Sequence, residues 1–370
     1  MYTRTSRGMT YLLSALAIGG CSQADDESLY APRSIKSPIN QQNGEIVNGT
    51  VANGQRFNGQ RFNGQRFNGD IINAVQPKNQ IGSPPTLIGY DILGAEVSGA
   101  AFLNATIVGR YSNGTVAQVE VVGYDNSSIP GLDLYLVRNK STHEPICGKD
   151  SNNQPIWATV MTSLFDEETG AEAADDPELF TFACRFGALE KCNEYGYPKW
   201  AAANEFNGSQ RRLRGFADYH ASCVRMVRAD YCGNGQTHTF NGTSIDIFDH
   251  LEDTNAPATT DGVGGWNFEA EWEPDGGHCI SKTRWMPSPL STLADNRSNA
   301  NPHWEYIRQN CPNRFAFPVQ KPDGQWSVPD RACGTNSLWN TSKGFTMYGS
   351  GASRQPNRPL LRNHSKVEIY

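Results

Sequence analysis

Apolar and polar residues alternate along several short segments of the chain, a period typical of strands with one face in a core. Residues 115–124 alternate in this way, and the preceding Asn113-Gly114 pair favours a tight hairpin turn back to residues 106–111. Residues 132–137 form another short apolar segment of strand type. The pattern therefore predicts a β-rich, antiparallel module over residues 74–165.

Two later segments place apolar residues three or four positions apart, which is helical spacing. The first, residues 179–189, predicts that Cys184 and Cys192 lie on a helix or near its end. The second, residues 216–231, is followed by Gly233-Asn234-Gly235, a combination that stops a helix. The Ala-Asp-Tyr-Cys tetrapeptide at its end is therefore expected on the last turn of a helix.

Two strands and a polar arm are expected beyond the second helix. Residues 244–249 follow an Asn-Gly turn and alternate, so that Asp246 is expected to face outward. Residues 268–273 alternate strictly, with Phe, Ala and Trp facing inward and three glutamates facing outward. From residue 340 onward the chain is polar and basic, which predicts a surface arm.

Composition narrows the class of protein. The 370 residues include 36 Gly and 21 Pro, and only 38% are hydrophobic, which favours a polar chain rich in turns. The formal net charge is −6, so the chain has no basic surplus with which to neutralise phosphates. A nucleic-acid partner is therefore not expected.

The first 20 residues have the layout of a bacterial lipoprotein signal peptide. Arg4 and Arg7 precede a short apolar stretch that ends at Ile18-Gly19-Gly20-Cys21, which resembles a lipobox. This resemblance implies lipidation of Cys21, and Ser22 after it implies sorting to the outer membrane or cell surface. The expected partner is then a membrane, through the lipid anchor. Ordinary secretion with a chance cysteine is the alternative.

A polar segment and a short repeat follow the signal. Residues 21–42 are polar and lack periodicity, as expected of a flexible tether. In residues 43–73 Asn-Gly recurs every five positions, and the middle copies read Asn-Gly-Gln-Arg-Phe. The period resembles a degenerate pentapeptide repeat, a family that forms a β-helix. Its length favours a spacer or a short β-coil docked on a neighbour.

Eight further cysteines make an even number, which predicts disulfide bonds in an exported chain. They are Cys147, Cys184, Cys192, Cys223, Cys232, Cys279, Cys311 and Cys333. The spacing of ligands typical of zinc is missing, so neither a metal nor another cofactor is expected. Each of the two predicted helices carries two cysteines, and the expected bridge joins Cys184 or Cys192 to Cys223 or Cys232.

Several ordered motifs around these cysteines carry a family resemblance. They are Phe-Thr-Phe-Ala-Cys at 180–184, Lys-Cys at 191–192, Cys-Val-Arg-Met-Val-Arg-Ala-Asp-Tyr-Cys-Gly at 223–233, Phe-Glu-Ala at 268–270 and Gly-His-Cys at 277–279. Together they resemble the ADYC domain family of exported bacterial proteins over residues 88–333. The motif is Ala229, Asp230, Tyr231 and Cys232. The family has no established activity, so the resemblance implies compartment and fold but no catalytic residues.

The favoured function is a binding or structural role at the cell surface, with a protein or a glycan as the unknown partner. Aromatic side chains that could stack on sugar rings are Trp266, Trp272, Trp285, Trp304 and Trp326. The alternative is a hydrolase of glycans or peptides that uses carboxylates near the motif. Its candidates are Asp230, His238, Asp246, Asp249, His250, Glu269 and Glu271.

Two further considerations limit the chemistry of the motif. Cys223 or Cys232 with His238 would supply the residue types of thiol catalysis, but bridged cysteines are commoner in an exported chain. Asp230 is expected to pair with Arg225 or Arg228, which would make its charge structural. No catalytic residue is therefore assigned.

The sequence as a whole predicts an α+β fold, a disulfide-stapled and β-rich globular domain with a few short helices. The expected divisions are a lipoprotein signal peptide at 1–20, a tether at 21–42, repeats at 43–73, a β-rich module at 74–165, an ADYC-like disulfide-rich region at 166–340 and a basic polar tail at 341–370.

Overall fold

The computed structural model describes the greater part of the region between residues 73 and 328, together with three short strands outside it. The described residues are 39–42, 63–66, 73–80, 83–90, 95–110, 116–128, 132–165, 172–174, 180–200, 202–207, 210–239, 243–249, 266–284, 302–328 and 360–366.

Strands dominate the described residues. They are β1 (Ile39–Gln42), β2 (Asn63–Arg66), β3 (Asn73–Gln80), β4 (Ser83–Tyr90), β5 (Glu96–Ser98), β6 (Thr106–Arg110), β7 (Val116–Asp125), β8 (Leu134–Asn139), β9 (Ala158–Thr162), β10 (Leu164–Phe165), β11 (Glu172–Ala174), β12 (Phe180–Cys184), β13 (Ala202–Asn207), β14 (Gln210–Gly215), β15 (Ser244–Asp249), β16 (Trp266–Glu273), β17 (Gly276–Ile280) and β18 (Leu361–Lys366). The helices are α1 (Ala188–Glu194), α2 (Ala217–Arg228) and α3 (Pro302–Asn310), with 3-10 turns at Gly99–Phe102 and Pro312–Arg314. The expected β-rich α+β fold with a few short helices is confirmed.

A six-stranded antiparallel sheet forms the first half of the fold, in the order β12-β9-β8-β7-β6-β2. The predicted pairing of β6 with β7 is present, with Thr106 opposite Glu120, while the Asn-Gly turn that would join them lies outside the described residues. Alternate residues of β7 and β8, including Val119, Val121 and Val137, are buried in its core. The alternating pattern was therefore a reliable guide to this sheet.

The segment that carries Cys184 is a strand, which corrects the helix predicted over residues 179–189. All five residues of β12 are buried, and β12 pairs antiparallel with β9. A strand that is covered on both faces has no period-two signal, so its apolar residues matched helical spacing by chance. The helix α1 begins only at Ala188 and carries Cys192 alone.

A five-stranded antiparallel sheet, in the order β1-β15-β18-β16-β17, forms the second half. Helix α2 packs against β16, β17 and β18 of this sheet. Strand β18 lies at its centre, and Leu361 and Asn363 are fully buried. The prediction of a surface arm after residue 340 is therefore wrong for residues 360–366. Charged and polar side chains belong to the interior here because they find partners on neighbouring strands.

Two strands come from segments predicted to be a tether and a repeat. Strand β1, inside the expected tether, pairs with β15, with Ile39 opposite Ile247. Strand β2, inside the repeats, pairs with β6 at the edge of the six-stranded sheet. The remainder of residues 1–72 lies outside the described residues, and the proposed divisions of the chain stay predictions.

Candidate functional site

Helix α2 ends one residue before the Asp-Tyr-Cys part of the motif, and Ala229 makes the turn. Ala229 has φ +51° and ψ 40°, a left-handed conformation that glycine usually fills. Its N–H donates to the carbonyl of Met226 at 3.0 Å, and the N–H of Asp230 donates to the carbonyl of Arg225 at 2.9 Å. The motif is therefore a helix-terminating turn at the helix end that the sequence predicted, although α2 ends at Arg228 and does not reach Tyr231.

Asp230 is fully buried, and every contact it makes fixes this turn. Arg225 Nη1 donates to Oδ2 of Asp230 at 2.6 Å, as the sequence predicted for one of the two arginines. The backbone N–H groups of Asn234 and Gly235 donate to the same carboxylate at 3.1 and 2.9 Å. The carboxylate of Asp230 thus holds the loop after α2 against the end of the helix.

The side chain of Tyr231 extends from the turn into the core between α2 and the five-stranded sheet. Its hydroxyl donates to Oε1 of Glu269 at 2.9 Å and accepts from the N–H of Arg284 at 2.8 Å. Its ring is stacked on Trp272 with 5.3 Å between ring centroids. Burial, and after it the charge of Glu269, raises the pKa of Tyr231 well above its ordinary value. Tyr231 is therefore a neutral structural hydrogen-bonding group.

Glu269 is the centre of a fully buried polar network. Arg284 donates to it through Nε at 3.1 Å and through Nη2 at 2.8 Å. Asn363 Nδ2 donates at 3.0 Å, and Asn363 in turn accepts from the indole N–H of Trp272 at 2.8 Å. Burial alone would raise the pKa of Glu269, but the charge and hydrogen bonds of Arg284 lower it, so the carboxylate is ionised.

Arg284 also joins this network to the end of helix α2. Its Nη2 and Nη1 atoms donate to the carbonyls of Met226 at 2.8 Å and Val227 at 3.2 Å. A cation here satisfies carbonyls that the last helical turn leaves open and complements the helix dipole. The network therefore connects the helix, the motif and the central strands of the sheet.

The inward position of the glutamates corrects the prediction for β16. Glu269 and Glu271 are fully buried, as is Asp246 on β15, which was also predicted to face outward. The register of β16 shifts between Phe268 and Ala270 and again between Glu271 and Trp272. Such irregularities break the strict alternation, which lets both Glu269 and Trp272 contact Tyr231.

The other carboxylates considered for hydrolysis are also paired. Glu271 forms a buried ion pair with Arg362, and Asp246 lies 3.5 Å from the Nδ1 atom of His364. Asp249 accepts a hydrogen bond from the hydroxyl of Tyr197 at 2.8 Å. Each is fully buried, so none is presented to a bound substrate in this conformation. His250 lies outside the described residues.

Three disulfides fasten the described elements. They are Cys147–Cys184, Cys192–Cys223 and Cys232–Cys311, with Cα–Cα distances of 5.4, 5.7 and 5.6 Å. The second joins α1 to α2 and is one of the pairs expected from the sequence. Cys279 is also disulfide-bonded. Because Cys223 and Cys232 are both bridged, neither is a thiol nucleophile.

A second polar cluster lies on α1 and was missed at the sequence level. Glu190 and Glu194 are buried, and burial raises their pKa values to about 7 and about 8. Thr159 and Asn193 donate to Oε2 of Glu190, whereas its Oε1 atom and Oε1 of Glu194 accept no hydrogen bond from a described residue. The sequence did contain a signal for this cluster, because residues four positions apart, such as 190 and 194, lie on the same face of a helix.

Next to the motif, α3 contacts the loop after α2. The Nδ1 atoms of His238 and His303 lie 3.0 Å apart. Asn234 Nδ2 donates to the hydroxyl of Tyr306 at 2.9 Å, and the Cys232–Cys311 disulfide joins the same two segments. His238 was a candidate from the sequence, but nothing in the sequence indicated His303 as its neighbour.

The tryptophans proposed for sugar stacking have different environments. Trp272 is fully buried, Trp304 is 7% exposed and Trp266 is half-buried. Trp326 is 63% exposed, whereas Trp285 lies outside the described residues. Only Trp326 among the four described ones therefore presents most of its indole to solvent.

These geometries define a class of protein. The polar groups of the motif tie the end of α2 to the five-stranded sheet, in a β-rich domain fastened by disulfides. No group of three or more His, Cys, Asp or Glu side chains in the described part of the chain is arranged to hold a metal ion. Asp230 and Tyr231 of the motif contact other buried groups of the domain.

Comparison with known proteins gives the family. The model of the ADYC domain matches residues 99–286, just over half of the 370-residue chain. The chain belongs to the ADYC domain family. The match takes in β-strands of the first sheet as well as the motif, and it lies within residues 88–333, over which the sequence resembles the family. Comparisons with curated proteins and with solved structures give no match.

Proposed function

We propose that this chain is an exported, lipid-anchored protein of the bacterial cell envelope, in which the ADYC domain is a rigid scaffold with a binding or structural role. One observation carries the proposal. Ala229 and Tyr231 of the motif and the carboxylates at 230, 246, 249, 269 and 271 are fully buried, and each carboxylate is held by a protein partner. A hydrolytic site needs carboxylates that reach a substrate.

The disulfides support an exported location. Three bridges are formed among the described residues, and such bonds persist mainly in oxidising compartments. In the described residues, no helix has the length and apolar character needed to cross a membrane. We assign attachment to the envelope to the lipid anchor at Cys21, because residues 18–21 resemble a lipobox.

The number of cysteines makes the lipid-anchor part of this proposal more specific. Of the nine cysteines, six form the three described bridges and Cys279 is bridged as well. Cys21 and Cys333 remain as its possible partners. We assign Cys333 to Cys279, which leaves the sulfur of Cys21 for acylation.

Metabolic labelling tests the anchor. The full chain, expressed in a bacterium with a lipoprotein pathway, should incorporate an alkyne fatty acid and fractionate with the outer membrane. Cys21→Ser should abolish the label, whereas Cys333→Ser, which leaves Cys21 intact, should retain it. A wild-type chain that is exported without label would refute the anchor.

Incubation with purified cell-wall glycan separates binding from hydrolysis. A scaffold with a binding role should sediment with its ligand and release no soluble fragments. Release of glycan or peptide fragments that is lost in Glu269→Gln and Asp230→Asn variants of native stability would instead establish the hydrolase alternative.

A further inference from the structure

The contact between His238 and His303 brings together two imidazoles from segments that are 65 residues apart in sequence. Their Nδ1 atoms are 3.0 Å apart and the rings are nearly perpendicular, at 88°. With both imidazoles neutral, one Nδ1 donates its proton to the lone pair of the other. We propose that this pair binds a divalent transition-metal ion of the Zn²⁺ and Cu²⁺ class through the lone pairs of both Nδ1 atoms, after the Nδ1 proton of the donor ring has moved to the Nε2 atom of that ring.

The distance suits such an ion. Two nitrogen ligands about 2.0–2.1 Å from a tetrahedral zinc ion lie roughly 3.3 Å apart. The two Nδ1 atoms therefore need to separate by only a few tenths of an ångström. Imidazole nitrogen is a preferred ligand of zinc, copper and nickel, whereas Mg²⁺ and Ca²⁺ prefer oxygen.

The hydrogen bond between the two Nδ1 atoms requires that at least one of the rings be neutral, because one of the two nitrogens must offer a lone pair. Neutral imidazole is the form that ligates metals. The nearby Arg284 is paired with Glu269, which reduces its repulsion of a cation.

The surrounding contacts hold the two histidines in place before any metal arrives. The Cys232–Cys311 disulfide and the hydrogen bond from Asn234 to Tyr306 join the same two segments. The backbone N–H of His238 donates to the carbonyl of Arg228 at 3.1 Å, which fixes the loop on α2. A site assembled in this way loses little conformational entropy on binding.

Access and coordination number follow from burial. His238 is 3% exposed, and the ring of Tyr306 packs on it at 4.9 Å. His303, on α3, is half-buried and is the more exposed of the two histidines. The described residues supply two ligands, and water or an external group takes the remaining positions. The site would therefore be open, as in metal sites that bind a further ligand.

Zinc titration of the full chain tests the proposal. Isothermal calorimetry at pH 7.5 should find one Zn²⁺ per chain whose affinity falls at least tenfold in His303→Gln. Glutamine can keep a hydrogen bond to His238 but is a poor ligand for zinc, so this variant separates the metal site from the hydrogen bond. His238→Gln should give the same loss where it folds.

Two controls complete the experiment. Tyr306→Phe removes a neighbouring hydrogen bond but no nitrogen ligand, and it should bind Zn²⁺ within about twofold of the wild type. Millimolar Mg²⁺ should not compete. Absence of zinc binding in the wild type, or equal affinity in His303→Gln, would overturn the proposal and leave a simple histidine–histidine hydrogen bond.

Discussion

The hydroxyl of Tyr231 donates a hydrogen bond to Oε1 of Glu269 at 2.9 Å, across 38 residues of sequence. Both side chains are fully buried. This bond joins the loop after α2 to the central part of the second sheet, and Arg284 completes it from a third segment. Both parts of the Tyr231 side chain therefore have a role in the motif: the hydroxyl bonds Glu269, and the ring stacks on Trp272.

Tyr231→Phe should lower the free energy of unfolding by about 1–3 kcal/mol, because Glu269 and the N–H of Arg284 each lose a buried partner. Urea denaturation measures this difference. The control is Tyr306→Phe, which removes a hydrogen bond near the surface and should cost less than about 1 kcal/mol. Equal losses in the two variants would contradict the role given to the Tyr231 hydroxyl.

Arg284→Met should destabilise the domain by about 3–5 kcal/mol, because it leaves the charge of Glu269 buried and unpaired. The double variant with Glu269→Gln should recover part of that loss, since the unpaired charge is then removed. A double-mutant cycle from denaturation curves measures the coupling. Strictly additive effects would show that the two side chains do not depend on each other.

Gly233→Ala should prevent stable folding or lower the melting temperature strongly. Gly233 has φ +71°, and a Cβ there would lie 1.7 Å from the carbonyl oxygen of Asp275. The matched control is Gly324→Ala, where φ is +85° and no atom lies within 4 Å of the new Cβ. That change carries only the left-handed strain, about 1–2 kcal/mol. Similar losses at both positions would argue against close packing at Gly233.

The Glu190 and Glu194 pair should make the domain less stable as pH rises. Their pKa values are raised from 4.5 to about 7 and about 8, so the folded chain binds more protons than the unfolded chain in that interval. The free energy of unfolding therefore falls with pH, by roughly 1.4 kcal/mol per unit for each group still protonated only in the folded state.

Thermal melts between pH 6.5 and 7.5 measure this effect, because that range lies below the pKa of about 8 to which burial lowers Lys191, a group whose contribution to stability has the opposite sign. His220 and His238, whose pKa values are lowered from 6.5 to about 4 by burial, change stability mainly below that range. The wild type should lose melting temperature across the interval, and the Glu190→Gln, Glu194→Gln double variant should lose much less. A parallel decline in both proteins would rule out the pair as its source.

Mild reduction should open Cys232–Cys311 before the other two described bridges. Cys232 and Cys311 are half-buried, whereas the cysteines of the other two are at most 3% exposed. Attack by an external thiolate requires access to sulfur. Differential alkylation and mass spectrometry at increasing dithiothreitol should detect these two thiols first. Prior appearance of Cys192 and Cys223 would show that local opening, not exposure, sets the order.

Local patterns in the sequence predicted part of the fold correctly. Alternation indicated the pairing of β6 with β7, and the even set of cysteines indicated a bridge between the regions of Cys192 and Cys223. The pairing of Asp230 with Arg225 was also predictable, because the two residues lie five positions apart at a helix end. Each of these features depends on short-range geometry or on residue type alone.

Other features required the assembled structure. The buried strand β12 matched helical spacing because both of its faces are covered. The basic segment at 361–366 forms a central strand because its polar side chains find partners on the neighbouring strands. Arg362 pairs with Glu271, and His364 lies beside Asp246. A charge is stable in the interior only beside its partner, and the sequence does not state which partners will meet.

The sequence by itself thus determined the family, the disulfide-rich composition and the β-rich class, since these depend on residue types and local periods. The tertiary structure decided that Glu269 faces inward, that Asn363 reaches it across 94 residues, and that His238 meets His303. The physical reason is that strand irregularities and long-range pairing set the direction of each side chain, and both arise only when the sheets and helices pack together.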